Sequence, residues 1–299
     1  MINQGIREIS QRRKLVFTWY GLNLLFALVI VAPIALAMAG MLGDSLETKR
    51  LFDNFDISWI TEFGYSAHWN QLVMWLPMVA LLGGAFVLLT TWLSGGLLAV
   101  LHDPRESFTA GCGRWLPPFV RLLLLASLLY GVAFAIRAGF ASLLRKLGED
   151  SMSGQPAAYG AMATFVITFA ACSFVTMLVD YAKIHMVTHG ERKARRGLAQ
   201  GIRFVFGNLK RCLGIYLGLT VYLLLMLAVY HMCSEVIGQA SIGAVLLLFV
   251  VRQIYMLGRT WLRMVFLASE HAYFASRIPK PASKPEPLLE ESLEFNESY

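Results

Sequence analysis

Residues 15–43 read LVFTWYGLNLLFALVIVAPIALAMAGMLG, a run of 29 residues without a charged side chain. A helix needs about 20 predominantly apolar residues to cross the hydrocarbon core of a bilayer. A soluble helix of this length would show a polar face, and this run has none. The run therefore predicts a membrane-spanning helix, because a helix satisfies its own backbone hydrogen bonds in hydrocarbon.

The composition of the whole chain also indicates a lipid environment. Of its 299 residues, 57% are hydrophobic and 15% are charged, and its mean hydropathy is +0.58. Soluble domains carry about 25% charged residues. The apolar excess excludes an ordinary soluble globule, a disordered chain and a coiled coil, and we expect an all-α, polytopic membrane protein.

Further windows with little or no charge extend this pattern along the chain. We predict one domain, residues 1–277, with six spans at about 15–42, 72–100, 117–140, 157–181, 210–233 and 238–262. The third and sixth spans are the weaker predictions, because each has to include an arginine. Residues 278–299 hold four prolines and five glutamates, a composition that predicts a disordered acidic cytoplasmic tail.

Lysine and arginine predict the orientation of these spans. Twenty-one of the 26 lie on one side of the predicted spans, in residues 1–14, 102–121, 183–211 and 252–299, and five lie in the loops on the other side. Basic loops stay in the cytoplasm. We therefore expect both termini to be cytoplasmic.

A short basic segment precedes each odd-numbered span, at residues 2–14, 106–121 and 193–211. Each segment places two basic residues seven positions apart on one helix face, and in the second and third segments these are Arg114 with Arg121 and Arg203 with Lys210. We interpret the segments as interfacial elbows that open three elbow-plus-hairpin repeats. The alternative is that the positive-inside rule alone places these residues. In either case we expect the elbows to attract anionic lipid head groups.

Two details of the elbows are predicted from residue type. Pro117 and Pro118 should separate the second elbow from its span, because proline interrupts a helix. In the third elbow, apolar residues at positions 198, 202, 205 and 206 form a stripe that should face lipid.

The sixth span carries its charges on one helix face. Positions 252, 259, 263, 270 and 277 are Arg, Arg, Arg, Glu and Arg, and their spacing keeps them within about 20° of one direction. Intramembrane arginines face partners or water-filled cavities. We expect Asp180, at the end of the fourth span, to contact Arg252 or Arg259. We favour a structural clasp for Asp180, Arg252, Arg259 and Arg263, and the alternative is a path for anions or lipid phosphates.

Metal and cofactor binding are not expected. His185 and His189 are one helical turn apart, but no third ligand follows at metal-binding spacing. The nearby basic residues would repel a cation, so we interpret the two histidines as solvated interfacial side chains.

The chain resembles a broad group of bacterial six-helix membrane proteins without established function. The resemblance lies in Val179–Lys183, Arg203-Phe204, Gly214–Tyr216, and Arg252-Gln253 with Arg259. That group is similar to the membrane domain of some glycerophosphodiester phosphodiesterases, but the catalytic barrel of those enzymes has no counterpart here. The resemblance implies a module of the bacterial cytoplasmic (inner) membrane that works near lipids or with a separate partner.

The function classes follow from what the sequence contains. It holds no Walker lysine motif, GxSxG elbow or nucleotide-binding glycine fingerprint. We therefore expect a non-enzymatic integral membrane module, either a scaffold or accessory subunit of a membrane complex or a lipid-organising protein. The alternative is a transporter or permease subunit for an anionic or lipid-like solute; an intramembrane enzyme is the third class. The expected partners are membrane lipids and a membrane protein or second copy of the chain, and not nucleic acid.

Overall fold

A computed structural model describes residues 1–42, 67–148, 155–237 and 241–277. The described residues form eight helices: α1 (Ile2–Gln11), α2 (Arg13–Leu42), α3 (Ala67–His102), α4 (Phe108–Gly148), α5 (Gln155–His189), α6 (Ala194–Gly207), α7 (Leu209–Ile237) and α8 (Ile242–Arg277). All except α1 and α6 contain a stretch long and apolar enough to cross a membrane. The all-α class and the six candidate spans are thus confirmed, whereas the predicted tail lies outside the described residues.

Several of these helices are longer than a bilayer requires. The 36 residues of α8 correspond to about 54 Å of helix, compared with a hydrocarbon core of about 30 Å. Helix α4 is longer still, at 41 residues. The extra length lies at the end of the fold where α3, α5 and α8 finish and α2, α4 and α7 begin. We call this end, which carries the basic segments, the basic end.

The buried core gathers at the basic end. Its main contributions are residues 93–101 of α3, 112–126 of α4, 175–187 of α5 and 262–274 of α8. Away from this core every candidate span exposes large apolar side chains, at residues 25–31 of α2, 78–88 of α3, 124–143 of α4, 162–169 of α5, 213–236 of α7 and 245–256 of α8. We call this surface the apolar band. An exposed apolar surface shared by all six spans is what contact with lipid requires.

Helix α4 runs through the two prolines that were expected to interrupt it. It is one helix from Phe108 to Gly148, so the predicted separation of the second elbow is wrong. The cause is a continuous buried stripe along the contact with α3, made of Cys112, Trp115, Phe119, Leu122 and Ala126. The carbonyls that lose their partners to Pro117 and Pro118 belong to Gly113 and Arg114, which are exposed and can bind water.

Helix α6 packs on α5 through two glycines in a GxxxG pattern. A Cβ atom added to Gly201 would lie 2.7 Å from the backbone nitrogen of Ala182, and one added to Gly197 would collide with Met186. Val205 continues this face and is fully buried. The predicted lipid-facing stripe is therefore wrong at position 205, and Phe206 alone of the four residues is exposed. The face of α6 that carries Gly197 and Gly201 packs on α5 instead, because small residues allow two helix backbones to approach closely.

The N-terminal helix α1 packs on α8. Gly5 lies against Ser269, where an added Cβ would be 2.9 Å from the Ser269 backbone nitrogen, and Ile9 is fully buried. After α1, the Arg12 guanidinium donates a hydrogen bond to the Val100 carbonyl at 3.2 Å, in the last turn of α3. Helix α1 thus joins the ends of α8 and α3.

Replacing Gly5 with Leu should release α1 from α8. The new side chain has to displace the Ser269 backbone, and a helix of ten residues is marginal without tertiary contacts. Overpacking destabilises by about 1–3 kcal/mol, which corresponds to roughly 5- to 150-fold faster amide hydrogen exchange in α1. Gly21→Ala is the control, because a Cβ there meets nothing within 4 Å. Unchanged exchange in the Gly5→Leu protein would show that α1 does not depend on this contact.

Candidate functional site

Asp180 is the most fully paired charge in the described part of the protein. Its side chain is 1% exposed. Arg263 Nη2 donates a hydrogen bond to Asp180 Oδ1 at 2.9 Å, and Arg263 Nη1 lies 2.8 Å from Oδ2. Lys183 Nζ adds a contact of 3.6 Å to Oδ1. One hydrogen bond and one close ion-pair contact therefore join the Arg263 guanidinium to the two carboxylate oxygens.

The observed partner differs from the predicted one. We expected Arg252 or Arg259, but both are exposed, and neither forms an ion pair within the described residues. Arg263 takes this role because α5 and α8 meet at the basic end. Asp180 lies about 16 Å beyond the apolar band along α5, and Arg263 about 10 Å beyond it along α8. The pair therefore joins helix extensions rather than neighbouring residues within the apolar band.

Glu270 is a second buried acid in the same region. It is 1% exposed, and neither carboxylate oxygen has a hydrogen-bond partner among the described residues. It lies two helical turns beyond Arg263, within electrostatic reach of Asp180, Lys183 and Arg263. We call these four residues the charge cluster. With two acids and two bases, the cluster has no net charge when all four groups are ionised.

Aromatic side chains from three helices surround the charge cluster. Phe204 of α6 has ring-centroid distances of 5.4 Å to Tyr181 of α5 and 4.7 Å to Phe274 of α8. Tyr273 Oη also donates a hydrogen bond to Asn208 Oδ1 at 3.2 Å, at the junction between α6 and α7. This packing ties α6 to both α5 and α8 beside the buried Asp180 carboxylate, whereas the Arg263 side chain is 37% exposed.

The predicted elbow residues do not form one site. Arg114 pairs with Glu106 at 3.2 Å across an exposed surface. Arg203 and Lys210 are exposed. Arg121 lines a groove between α4 and the start of α6. Lys193, Arg195 and Arg196 line the same groove from the α6 side.

This groove combines cations with an apolar wall. Its lining consists of Arg121, Leu124, Leu125 and Leu128 from α4, and of Lys193, Ala194, Arg195 and Arg196 from the α6 side, and its volume is about 700 Å³. Binding sites for small molecules commonly have volumes of about 300–1,000 Å³. We call it the cationic groove. Basic groups at one end of an apolar wall can bind an amphiphile with a negative head group.

The histidines form aromatic contacts. The rings of His185 and His189 stack with centroids 4.2 Å apart, and both meet the edge or face of Phe274. His185 is half-buried, so our interpretation of a solvated side chain is wrong for this residue. Among the described residues, no group of three or more His, Cys, Asp or Glu is placed to hold a metal ion.

Sequence reasoning missed Lys183 as a member of the charge cluster, and it missed Lys193, Arg195 and Arg196 as partners of Arg121. Their positive charges were visible in the sequence, but the contacts of α5 with α8 and of α4 with α6 were not. The three-residue spacing of Asp180 and Lys183 was the one available signal, since it places both on one helix face.

Comparison with known proteins assigns no relationship. No family model matches the chain, and no curated protein and no solved structure matches it.

Proposed function

We propose that the protein is a non-enzymatic, multi-pass scaffold of the bacterial cytoplasmic membrane that organises anionic lipid at the cytoplasmic surface. In this proposal the basic end faces the cytoplasm, and the exposed basic residues at that end contact lipid head groups. The three elbow-plus-hairpin units remain part of the proposal, with α1 and α6 as the separate elbows.

The burial of the Asp180 carboxylate against Arg263 carries this proposal. A general acid, a base or a transport site has to reach its substrate, whereas Asp180 is 1% exposed and both of its oxygens face Arg263. Tyr181, the next residue along α5, is fully buried and packs against Phe204. Such a pair is suited to fixing α5 against α8. The basic end then presents a rigid surface rather than a path through the protein.

A transporter or permease subunit for an anionic or lipid-like solute is the second candidate. The observation in its favour is that Arg252 and Arg259 are exposed on the same face of α8. Arg252 lies within the apolar band, where an arginine is costly unless it faces a partner or water.

Purification of the tagged protein in native-lipid nanodiscs, with mass spectrometry of everything bound, separates these functions. The scaffold predicts enrichment of anionic lipid over the surrounding membrane, together with one stoichiometric membrane protein. Recovery of a nucleotide-binding subunit would favour a permease. A chain that carries neither partner nor enriched anionic lipid would contradict the scaffold. In the Arg252→Leu/Arg259→Leu double variant, the scaffold predicts unchanged binding of lipid and partner.

A further inference from the structure

We propose that the cationic groove binds one anionic phospholipid. Its phosphate would lie among Arg121, Lys193, Arg195 and Arg196, and one acyl chain would run along Leu124, Leu125 and Leu128. The inference deepens the proposed function and rests on it, because it assigns the organised lipid to a defined place on the protein.

The charge of the groove favours an anion. Four basic side chains line it, and one of them, Arg196, forms an ion pair with an acid, Glu191, whose Oε2 lies 3.8 Å from Arg196 Nη1. Helix α6 also begins here; its N-cap residue, Lys193, makes no side-chain capping hydrogen bond, and the Lys193 backbone N–H donates to Glu191 Oε1 at 3.1 Å. The first backbone N–H groups of a helix lack partners within the helix and favour negative charge. Arg121 on α4 and the three basic residues at the start of α6 therefore favour an anion in the groove between them.

The apolar wall favours a lipid over a free anion. Leu124 and Leu128 are 65% and 68% exposed. Positions 121, 124, 125 and 128 lie on one face of α4. Arg121 is the member of this face nearest the basic end, so a cation stands where the leucine stripe meets the edge of the apolar band. A phospholipid presents the same order along its length, with phosphate at the membrane surface and acyl chain below.

Both walls of the cationic groove belong to helices that pack tightly on neighbouring helices. Its α6 side is held by the contact between Gly201 and the Ala182 backbone, and its α4 side by the buried stripe against α3. The two backbones that carry the groove are therefore fixed before binding, and the four basic side chains on them are exposed to an approaching ligand.

The test is lipid binding to the full chain in detergent, followed by native mass spectrometry with phosphatidylglycerol, phosphatidylethanolamine and glycerol 3-phosphate. The altered protein is Arg195→Gln/Arg196→Gln. The matched control is Arg203→Gln/Lys210→Gln, which removes the same charge from exposed positions of α6 and α7 outside the groove. At about 1 kcal/mol for each basic residue near a lipid surface, the groove variant should bind phosphatidylglycerol roughly 30-fold more weakly. The control should change by less than about twofold, because protein in detergent has no lipid surface beside the exposed residues Arg203 and Lys210.

Three results would overturn the site. Equal losses in the two variants would indicate diffuse electrostatic attraction. Equal binding of phosphatidylethanolamine would exclude selection for an anionic lipid, and glycerol 3-phosphate binding as tight as phosphatidylglycerol would indicate an anion site without a lipid chain. Repeating the nanodisc experiment with the groove variant separates the two proposals. If anionic lipid and the protein partner are still enriched, the scaffold function stands without this site.

Discussion

Replacing Arg263 with Leu should lower the free energy of unfolding by about 3–5 kcal/mol, because it leaves a buried charge without its main partner. Asp180 would keep Lys183, which is 3.6 Å away, and would lose both contacts to the guanidinium. The carboxylate is 1% exposed, so water cannot replace them. The measurement is reversible unfolding in mixed micelles, followed by helical circular dichroism.

Two further variants distinguish the effect of losing the ion pair from the effect of losing an arginine side chain. Arg259→Leu removes the same side chain one turn earlier on α8, at an exposed position without an ion pair in the described structure. It should change the unfolding free energy by less than about 1 kcal/mol. The double variant Asp180→Leu/Arg263→Leu should recover most of the loss, since apolar replacement of a buried pair is often neutral. A loss in Arg259→Leu as large as in Arg263→Leu would contradict the assigned pairing.

Replacing Gly201 with Leu should displace α6 and cost about 3 kcal/mol or more. An added Cβ lies 2.7 and 2.8 Å from the backbone nitrogen and Cα of Ala182, and backbone atoms cannot move aside as a flexible side chain can. Since α6 forms one wall of the cationic groove, phosphatidylglycerol binding should weaken along with stability. Both quantities are measured on the same purified protein, by unfolding and by native mass spectrometry.

The control for this substitution lies in the same helix. A Cβ at Gly207 meets nothing within 4 Å, and Gly→Ala at a helical position changes stability by about 1 kcal/mol or less. Gly207→Ala should therefore keep both stability and lipid binding. If Gly201→Leu also keeps both, then α6 is not held against α5 by the glycine contact.

The six candidate spans could be predicted from sequence because their signal is local. Residues 15–43 lack charge regardless of what surrounds them, and a helix in lipid needs no neighbour to satisfy its backbone. The path of α4 through Pro117 and Pro118 could not be predicted in this way. Local preference favours a break, and burial of Trp115 and Phe119 against α3 outweighs it.

The candidate sites depended on contacts between helices that are distant in sequence. The stripe of α8 pointed to Arg252 or Arg259 as the partner of Asp180, and the relative position of α5 and α8 selected Arg263 instead. Likewise, Arg121 and Arg195 are 74 positions apart, so their meeting in one groove has no local signal. The prediction that Val205 of α6 faces lipid was wrong for the same reason, because the contact of α6 with α5 has no local signal either.

Measuring the accessibility of spin labels tests most directly whether the charge cluster and the basic residues of the cationic groove lie outside the lipid. Nitroxides are attached to single cysteines introduced in a cysteine-free protein, at the exposed positions Leu128, Leu225 and Leu246 of the apolar band and at Thr109, Gln200 and Ala275 of the basic end. We expect the first three labels to be relaxed by oxygen and shielded from a water-soluble nickel complex, and the last three to show the reverse. Labels at Gln200 and Ala275 that respond to oxygen alone would place the basic end within lipid and contradict the account.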